Sequence, residues 1–158
     1  MDLLLIGKYV NTHGLKGEIR IISDFRFKSL IFQAGKIIYI GKDKNPFIIK
    51  KHRVHKNYDL LSFKNISNIN EIEDLKNSLV YIDQSLFDFD IPPIETLIGY
   101  KIYFKKEFIG TVIDYYKEKA YDILVVSERR MKIPYIDVFI KEILKTEKKI
   151  YLKKKGVY

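Results

Sequence analysis

Cysteine and tryptophan are both missing from this chain of 158 residues. The absence of cysteine excludes disulfide staples, thiolate metal ligands and thiol nucleophiles, and it fits a reducing compartment. No apolar run approaches the ~18 residues that a membrane-spanning helix needs. The opening run Leu3–Ile6 lacks the basic flank and small-residue cleavage site of a secretion signal and reads as a strand. The protein is therefore expected to be soluble and cytoplasmic, with no membrane association. Proline is scarce, with four residues of which two are adjacent at Pro92-Pro93. Internal repeats and low-complexity tracts are also lacking.

What is present is core-forming material. Apolar residues make up 47% of the chain and aromatic residues 14%, well above what a disordered chain carries. At this length a single compact fold buries roughly 70% of the surface its unfolded chain exposes. Lys and Arg total 29 against 20 Asp and Glu, a net charge of +9. That sign attracts polyanions. Lysine enrichment for solubility fits the total equally well, so the local distribution of charge has to decide.

Short β-branched and aromatic runs alternate with turn residues through the first half. Leu3–Val10, Glu18–Ser23, Ile37–Ile40, Phe47–Ile49, Leu60–Phe63 and Leu79–Ile82 are read as strands, and strands this short and this dense suggest a small closed barrel. One helix is expected over Asn70–Asn77, with Asn70 as cap, Glu73 three residues later, and Ile69, Ile72 and Leu75 on one face. Asp83–Glu95 holds four acidic residues, no basic ones and the two adjacent prolines. Proline removes a backbone donor and biases its predecessor toward extended geometry, so a linker is placed at 85–94 between domains at 1–84 and 95–158. In the second half Tyr100–Phe104, Phe108–Tyr115 and Ile123–Val126 are expected as strands. Met131–Pro134 extends again, Val138–Leu144 is expected as a helical turn, and Ile150–Leu152 is the last extended run.

Catalytic constellations are thin. The three histidines are His13, His52 and His55. The last two sit three apart on an expected strand, which turns them to opposite faces, and no third metal ligand stands close in sequence. Gly14-Leu15-Lys16-Gly17 lacks the length and the Lys-Ser/Thr ending of a phosphate-cradling loop. It reads instead as a tight strand connection with both glycines at positive φ, although His13 and Lys16 at such a tip face solvent, where binding residues gather.

Two basic clusters stand out. Lys50–Lys56 carries four fixed positive charges and no acid, and residues 141–158 carry seven Lys against two Glu. Such clusters suit phosphate contacts, and they also suit edge strands guarded by lysine against aggregation. For the first cluster binding is favoured, because Tyr58 follows it as a stacking partner. Most of the 22 Tyr and Phe residues belong in the core. Tyr115 and Tyr116 alternate faces, one inward and one outward.

The string Ile6-Gly7-Lys8-Tyr9-Val10-Asn11-Thr12-His13-Gly14-Leu15-Lys16-Gly17-Glu18-Ile19-Arg20 resembles the opening of the RimM family of bacterial ribosome maturation factors. Arg53-Val54-His55-Lys56 with Leu60–Phe63, and then Glu73–Asn77, resemble the next blocks of that family. Leu97-Ile98-Gly99, Ile109–Val112, Tyr121–Val126 and Ile133-Pro134-Tyr135 resemble the PRC-barrel domain that completes it. The resemblance spans nearly the whole chain. It implies a mainly β fold of two small barrels with short helices: a translation-factor-type six-stranded N-terminal barrel and a C-terminal PRC barrel. It also implies a chaperone-like factor, with no cofactor and no chemistry of its own, that binds the head of the immature small ribosomal subunit and assists 16S rRNA processing and late assembly. The implied partners are that subunit and ribosomal protein nineteen of the small subunit, with the factor itself a monomer. On this reading the contact residues are His13, Gly14, Lys16, Gly17, Arg53, His55 and Lys56.

One departure is visible. The family usually carries a Tyr-Tyr pair, implicated in ribosome binding, where this chain has Pro92-Pro93, and an Asp where Thr96 stands. Proline cannot stack or donate as tyrosine does, so that site is not carried over. Phe87 and Phe89 are the nearby alternatives for the contact. A generic RNA-binding barrel and an RNA-cleaving enzyme are the competing function classes, and no motif marks the second.

Overall fold

Period-two alternation dominates the computed structural model, which describes residues 1–155. The chain divides into two compact units, Met1–Phe89 and Asp90–Tyr158. The first contains β1 (Leu3–His13), β2 (Glu18–Ile22), a single helical turn α1 (Lys28–Ile31), β3 (Ile37–Ile40), β4 (Asn45–His55), β5 (Tyr58–Phe63) and β6 (Leu79–Asp83). These strands close into a six-stranded barrel in the order β1-β2-β5-β4-β3-β6, with every ladder antiparallel. Closure removes the unpaired edges on which open sheets aggregate.

Alternation sorts the side chains. On β2, Ile19 and Ile21 are fully buried, while Glu18, Arg20 and Ile22 lie between them on the other face. Ile38 and Ile40 of β3, Ile49 of β4, Leu61 and Phe63 of β5, and Val80 and Ile82 of β6 complete the interior with Tyr9. Each such side chain contributes roughly 1.5–3 kcal/mol by leaving water. Phe25, Ile31 and Phe32 from the segment around α1 join the same core. At Gly7 a Cβ would lie 2.6 Å from the carbonyl oxygen of Ile22, so β1 can cross β2 closely only where the side chain is missing. The adjoining register shifts at Leu5/Gly7 and Tyr9/Asn11 bend the long strand around the barrel.

The second unit contains β7 (Lys101–Phe104), β8 (Glu107–Lys117), β9 (Asp122–Val126), a helical turn α2 (Ser127–Arg130), β10 (Met131–Pro134), β11 (Ile140–Leu144) and β12 (Lys149–Leu152). They form one six-stranded sheet in the order β10-β9-β8-β7-β12-β11, in which only the β12–β7 ladder is parallel. β8 pairs β7 with its first half and β9 with its second, so the sheet curls into a half-barrel. Its core holds Ile94, Leu97, Ile102, Val112, Leu124, Val126, Ile133, Tyr135 and Ile150, among others. The fold is thus mainly β, with two six-stranded sheets and short helices.

Two local expectations are overturned. Asn70–Asn77 is not a helix but two 3₁₀ turns, Ile69–Glu71 and Glu73–Leu75, and the cap is Asn68, whose side chain accepts from the Asn70 N–H. Ile69 and Ile72 are both buried against the barrel. Their three-residue spacing suits the tighter 3₁₀ repeat, and Ile72 breaks the run at φ −131°. Val138–Leu144 turns only at its start, where the Phe139 and Ile140 N–H groups donate to the Ile136 carbonyl. Ile140–Leu144 forms β11 on β12, with a bulge at Ile140/Glu142, because the hydrogen-bonding partner supplied by β12 outweighs a local preference. Strand β4 is also far longer than Phe47–Ile49, running on through the basic cluster to His55.

Both ends of the 83–95 stretch make defined contacts. Phe87 and Phe89 pack against the first core, with Phe89 stacked on Phe27 at a ring separation of 5.0 Å. Much of each ring is therefore committed to internal packing. The carbonyl of Pro92 accepts the Tyr135 hydroxyl at 2.6 Å, and Pro93 precedes a 3₁₀ turn, Ile94–Thr96, whose Thr96 hydroxyl donates back to the Pro93 carbonyl.

Candidate nucleic-acid interface

The hairpin β1–β2 turns at His13–Gly17, and β4–β5 turns at His55–Tyr58. Pairing of β2 with β5 sets these hairpins side by side: Arg20 lies opposite Leu60 and Ile19 opposite Leu61. Leu60 in turn lies opposite Arg53, and Tyr58 opposite His55. Directly opposed residues share a face, so Arg20, Leu60 and Arg53 form one row across the outside of the barrel. Leu60 is fully buried yet lies outside the interior cluster.

Gly14 and Gly17 both adopt the left-handed region, at φ 71° and 94°, as the tight turn requires. A Cβ on Gly17 would also meet Ile66 at 2.8 Å. The tip is tied down by the Ile69 N–H, which donates to the Leu15 carbonyl at 3.0 Å. Lys16 and Lys56 are exposed, Lys56 at positive φ, and Leu15 and Val54 stand out at 80% and 69% exposure.

The structure brings His13, Arg53 and His55 into one network. The His13 and His55 rings lie 5.4 Å apart. Arg20 donates to His13 Nδ1 from Nε at 3.2 Å, and its Nη2 lies 2.9 Å from the same atom. Arginine has only donors, so Nδ1 must be the acceptor and the ring proton sits on Nε2. That nitrogen lies 4.0 Å from Glu18 Oε1. Arg53 forks onto Glu18 through Nε and Nη2 at 2.9 and 2.8 Å, which leaves three of its five N–H groups for a ligand. This hydrogen bonding, aided by the charges of Arg53 and Lys51 and opposed by partial burial, holds the Glu18 carboxyl below the usual carboxylate range. The same contact raises the Arg53 guanidinium further. Arg20 also lies over the Tyr58 ring at 5.9 Å.

His52 belongs elsewhere, on the opposite face of β4 as its spacing implies. Its Nε2 donates to Asp59 Oδ1 at 2.8 Å, and its ring packs on Phe32 at 5.5 Å. Lys28 Nζ donates to Asp59 Oδ2, also at 2.8 Å. This triad fastens α1 to the β4–β5 hairpin, beneath the cationic face. Among the described residues no group of three or more His, Cys, Asp or Glu side chains could hold a metal ion, and no helix is long and apolar enough to cross a membrane.

Reading the sequence by linear clusters missed Glu18 and Arg20. Lys50–Lys56 is acid-free along the chain, yet in space an acid from β2 neutralises its arginine. The available signal was the outward period-two pattern Glu18-Ile19-Arg20 on an expected strand.

The fold and this surface define a class: a two-unit β protein whose closed barrel carries a cationic outer face of Arg20, Lys51, Arg53 and Lys56 around one acid. Residues 4–87 match the family model described as the RimM N-terminal domain. Two ribosome maturation factors RimM from Staphylococcus aureus, of strains MRSA252 and JH9, are each 36% identical over 155 residues, covering 93% of this chain and 93% of theirs. A solved RimM structure from Pseudomonas aeruginosa aligns at TM-score 0.47 and 19% identity over 98% of both chains. The solved N-terminal domain of RimM from Thermus thermophilus aligns at TM-score 0.46 and 18% identity, over 60% of this chain and 99% of that one. The chain belongs to the RimM family.

Proposed function

We propose that the protein is a ribosome maturation factor that binds the head of the immature small ribosomal subunit and assists 16S rRNA processing and late assembly. It works without catalysis. Binding one arrangement of the head more tightly than others shifts the population toward that arrangement. The observation that carries this reading is the match to ribosome maturation factors over 93% of the chain. The first unit's outer face supplies the physics: Lys16 and Lys56 at two adjacent tips, and Arg53 with donors to spare, reach phosphate oxygens while Leu15 at the first tip offers apolar contact. His13, Gly14, Gly17 and His55 shape and brace those tips. Ribosomal protein nineteen of the small subunit is the protein partner, the second unit is the PRC barrel, and the factor acts in the cytoplasm as a monomer.

Sucrose-gradient sedimentation of extracts, with and without the gene, tests this. The expected result is co-migration with immature small subunits, accumulation of 16S precursors in the deletion strain, and loss of co-migration on double charge reversal by Lys16→Glu and Lys56→Glu. Protein found only in the free pool, with normal rRNA ends in the deletion strain, overturns it.

A further inference from the structure

The second unit carries a surface that the first unit's contacts do not use. Phe108 of β8 lies opposite Tyr103 of β7, and Tyr103 lies opposite Tyr151 of β12. Their rings form a continuous row across three strands, at centroid separations of 5.6 and 5.5 Å, and the two tyrosines are stacked at 26°. Because Ile102 and Ile150, the neighbours along β7 and β12, are fully buried, alternation points this row outward. Phe108 is 51% exposed, and neither tyrosine belongs to the core cluster. Phe108, set edge-to-face with Tyr103, is the most exposed ring of the three and the one with a π-face to offer a partner.

The charge around the row is cationic. Lys149 stands over the Tyr103 ring at 5.5 Å, and Lys101, exposed, lies opposite it. Tyr151 also lines a groove of about 330 Å³ with Phe104, Lys105, Lys141, Leu152 and Lys153. That lining has three lysines and no acid. The nearby acids Glu107 and Glu147 are already engaged by Lys155 at 3.7 Å and Lys149 at 3.8 Å, and Glu142 lies opposite Tyr151.

We propose that the outward face of β7, β8 and β12 is a stacking platform for unpaired RNA bases, with the lysine-lined groove taking the adjoining ribose-phosphate. Aromatic rings beside lysines are the combination that binds single strands with little sequence preference. Paired bases hide their faces within the duplex, so a duplex offers this surface only its phosphates. The choice of RNA rests on the ribosomal reading above; the stacking does not.

The test uses the full chain and a fluorescein-labelled decamer of uridine, with a blunt RNA duplex as comparison, in a salt series. Binding is expected to favour the single strand at least tenfold, and Phe108→Ala should weaken it by a factor of about 5 to 150. Lys105→Glu should lower the salt slope by about one. The chain has no tryptophan, so its emission is tyrosine emission. Unlabelled decamer should quench part of it, and the quenching should shrink in Tyr103→Leu. Circular dichroism confirms folding of each variant, and Phe108, half exposed, is the variant least able to disturb it. Equal affinity for duplex and single strand, or unchanged affinity in folded Phe108→Ala, overturns the proposal. So does a decamer that fails to bind while Phe108→Ala weakens association with a protein partner. Subunit co-migration is read separately with the Lys16 and Lys56 variants, so either idea can fail alone.

Discussion

Replacing Asp59 with alanine removes a buried carboxylate that joins β5, β4 and α1 beneath the cationic face. Its side chain is 3% exposed and accepts from Lys28 and His52, each at 2.8 Å. Hydrogen bonds to charged groups contribute about 1.5–3 kcal/mol each, and breaking a buried charge pair costs about 3–5 kcal/mol when the partner is stranded. Here stranding is incomplete, because the Lys28 side chain is 36% exposed and His52 22% and both can turn to water. Relief of the buried carboxylate offsets a further share. The expected net loss is therefore about 2–3 kcal/mol, below the full stranded-pair cost. Asp59→Asn keeps an oxygen for Lys28 and places an amide against His52, so it should lose about half as much. Urea unfolding of the full chain, with hydrogen exchange resolving the first unit, measures both. The faster-exchanging amides should be those of β4, β5 and α1. If both variants fall within about 0.5 kcal/mol of the parent, the ordinary range for surface substitutions, the triad does not hold the hairpin and the reasoning fails.

Three further outcomes follow from particular contacts. Gly17→Ala should destabilise by about 1–3 kcal/mol, since it adds strain at positive φ to a 2.8 Å clash with Ile66. Gly14→Ala, with nothing within 4 Å, should cost less, and equal losses in thermal unfolding would contradict this. The lowered Glu18 carboxyl contributes stability that is present above its unfolded value and lost as pH falls through the folded one. Arg53→Gln should move the Glu18 titration upward in carbon-detected NMR, and an unmoved titration would contradict the fork. Burial pushes the Tyr135 phenol up, so its contribution is complete below the ordinary phenol value near ~10 and lost as pH rises toward the folded one. Tyr135→Phe should cost about 1 kcal/mol at neutral pH through the lost bond to Pro92 and flatten the alkaline fall in urea midpoint. A midpoint that falls as steeply in the variant would refute this.

Much of the fold was legible in residue order alone. Ile19 and Ile21, Ile38 and Ile40, and Val80 and Ile82 alternate with outward residues, and a period of two admits one geometry. The turn at Gly14–Gly17 declared itself because glycine occupies positive φ without strain. Tyr115 packs against the second core while Tyr116 is exposed, as adjacent strand positions must be. The order of blocks from Ile6 to Tyr135 also carried the family.

Residue order thus specified the mainly β character, the turn chemistry and the kinship. Tertiary structure decided where local preference and long-range pairing disagreed. Ile140–Leu144 has a helical look until β12 offers a ladder, and Ile69–Leu75 is held in 3₁₀ turns against the barrel. It also decided which charges meet: Glu18 reaches Arg53 across 35 positions of chain, and Lys28 reaches Asp59 across 31. Barrel register brings such partners within 3 Å, and register is a property of strand pairing that no linear cluster displays. The basic run at 50–56 was visible in the chain; that its arginine is already engaged by an acid from β2 belongs to the folded barrel.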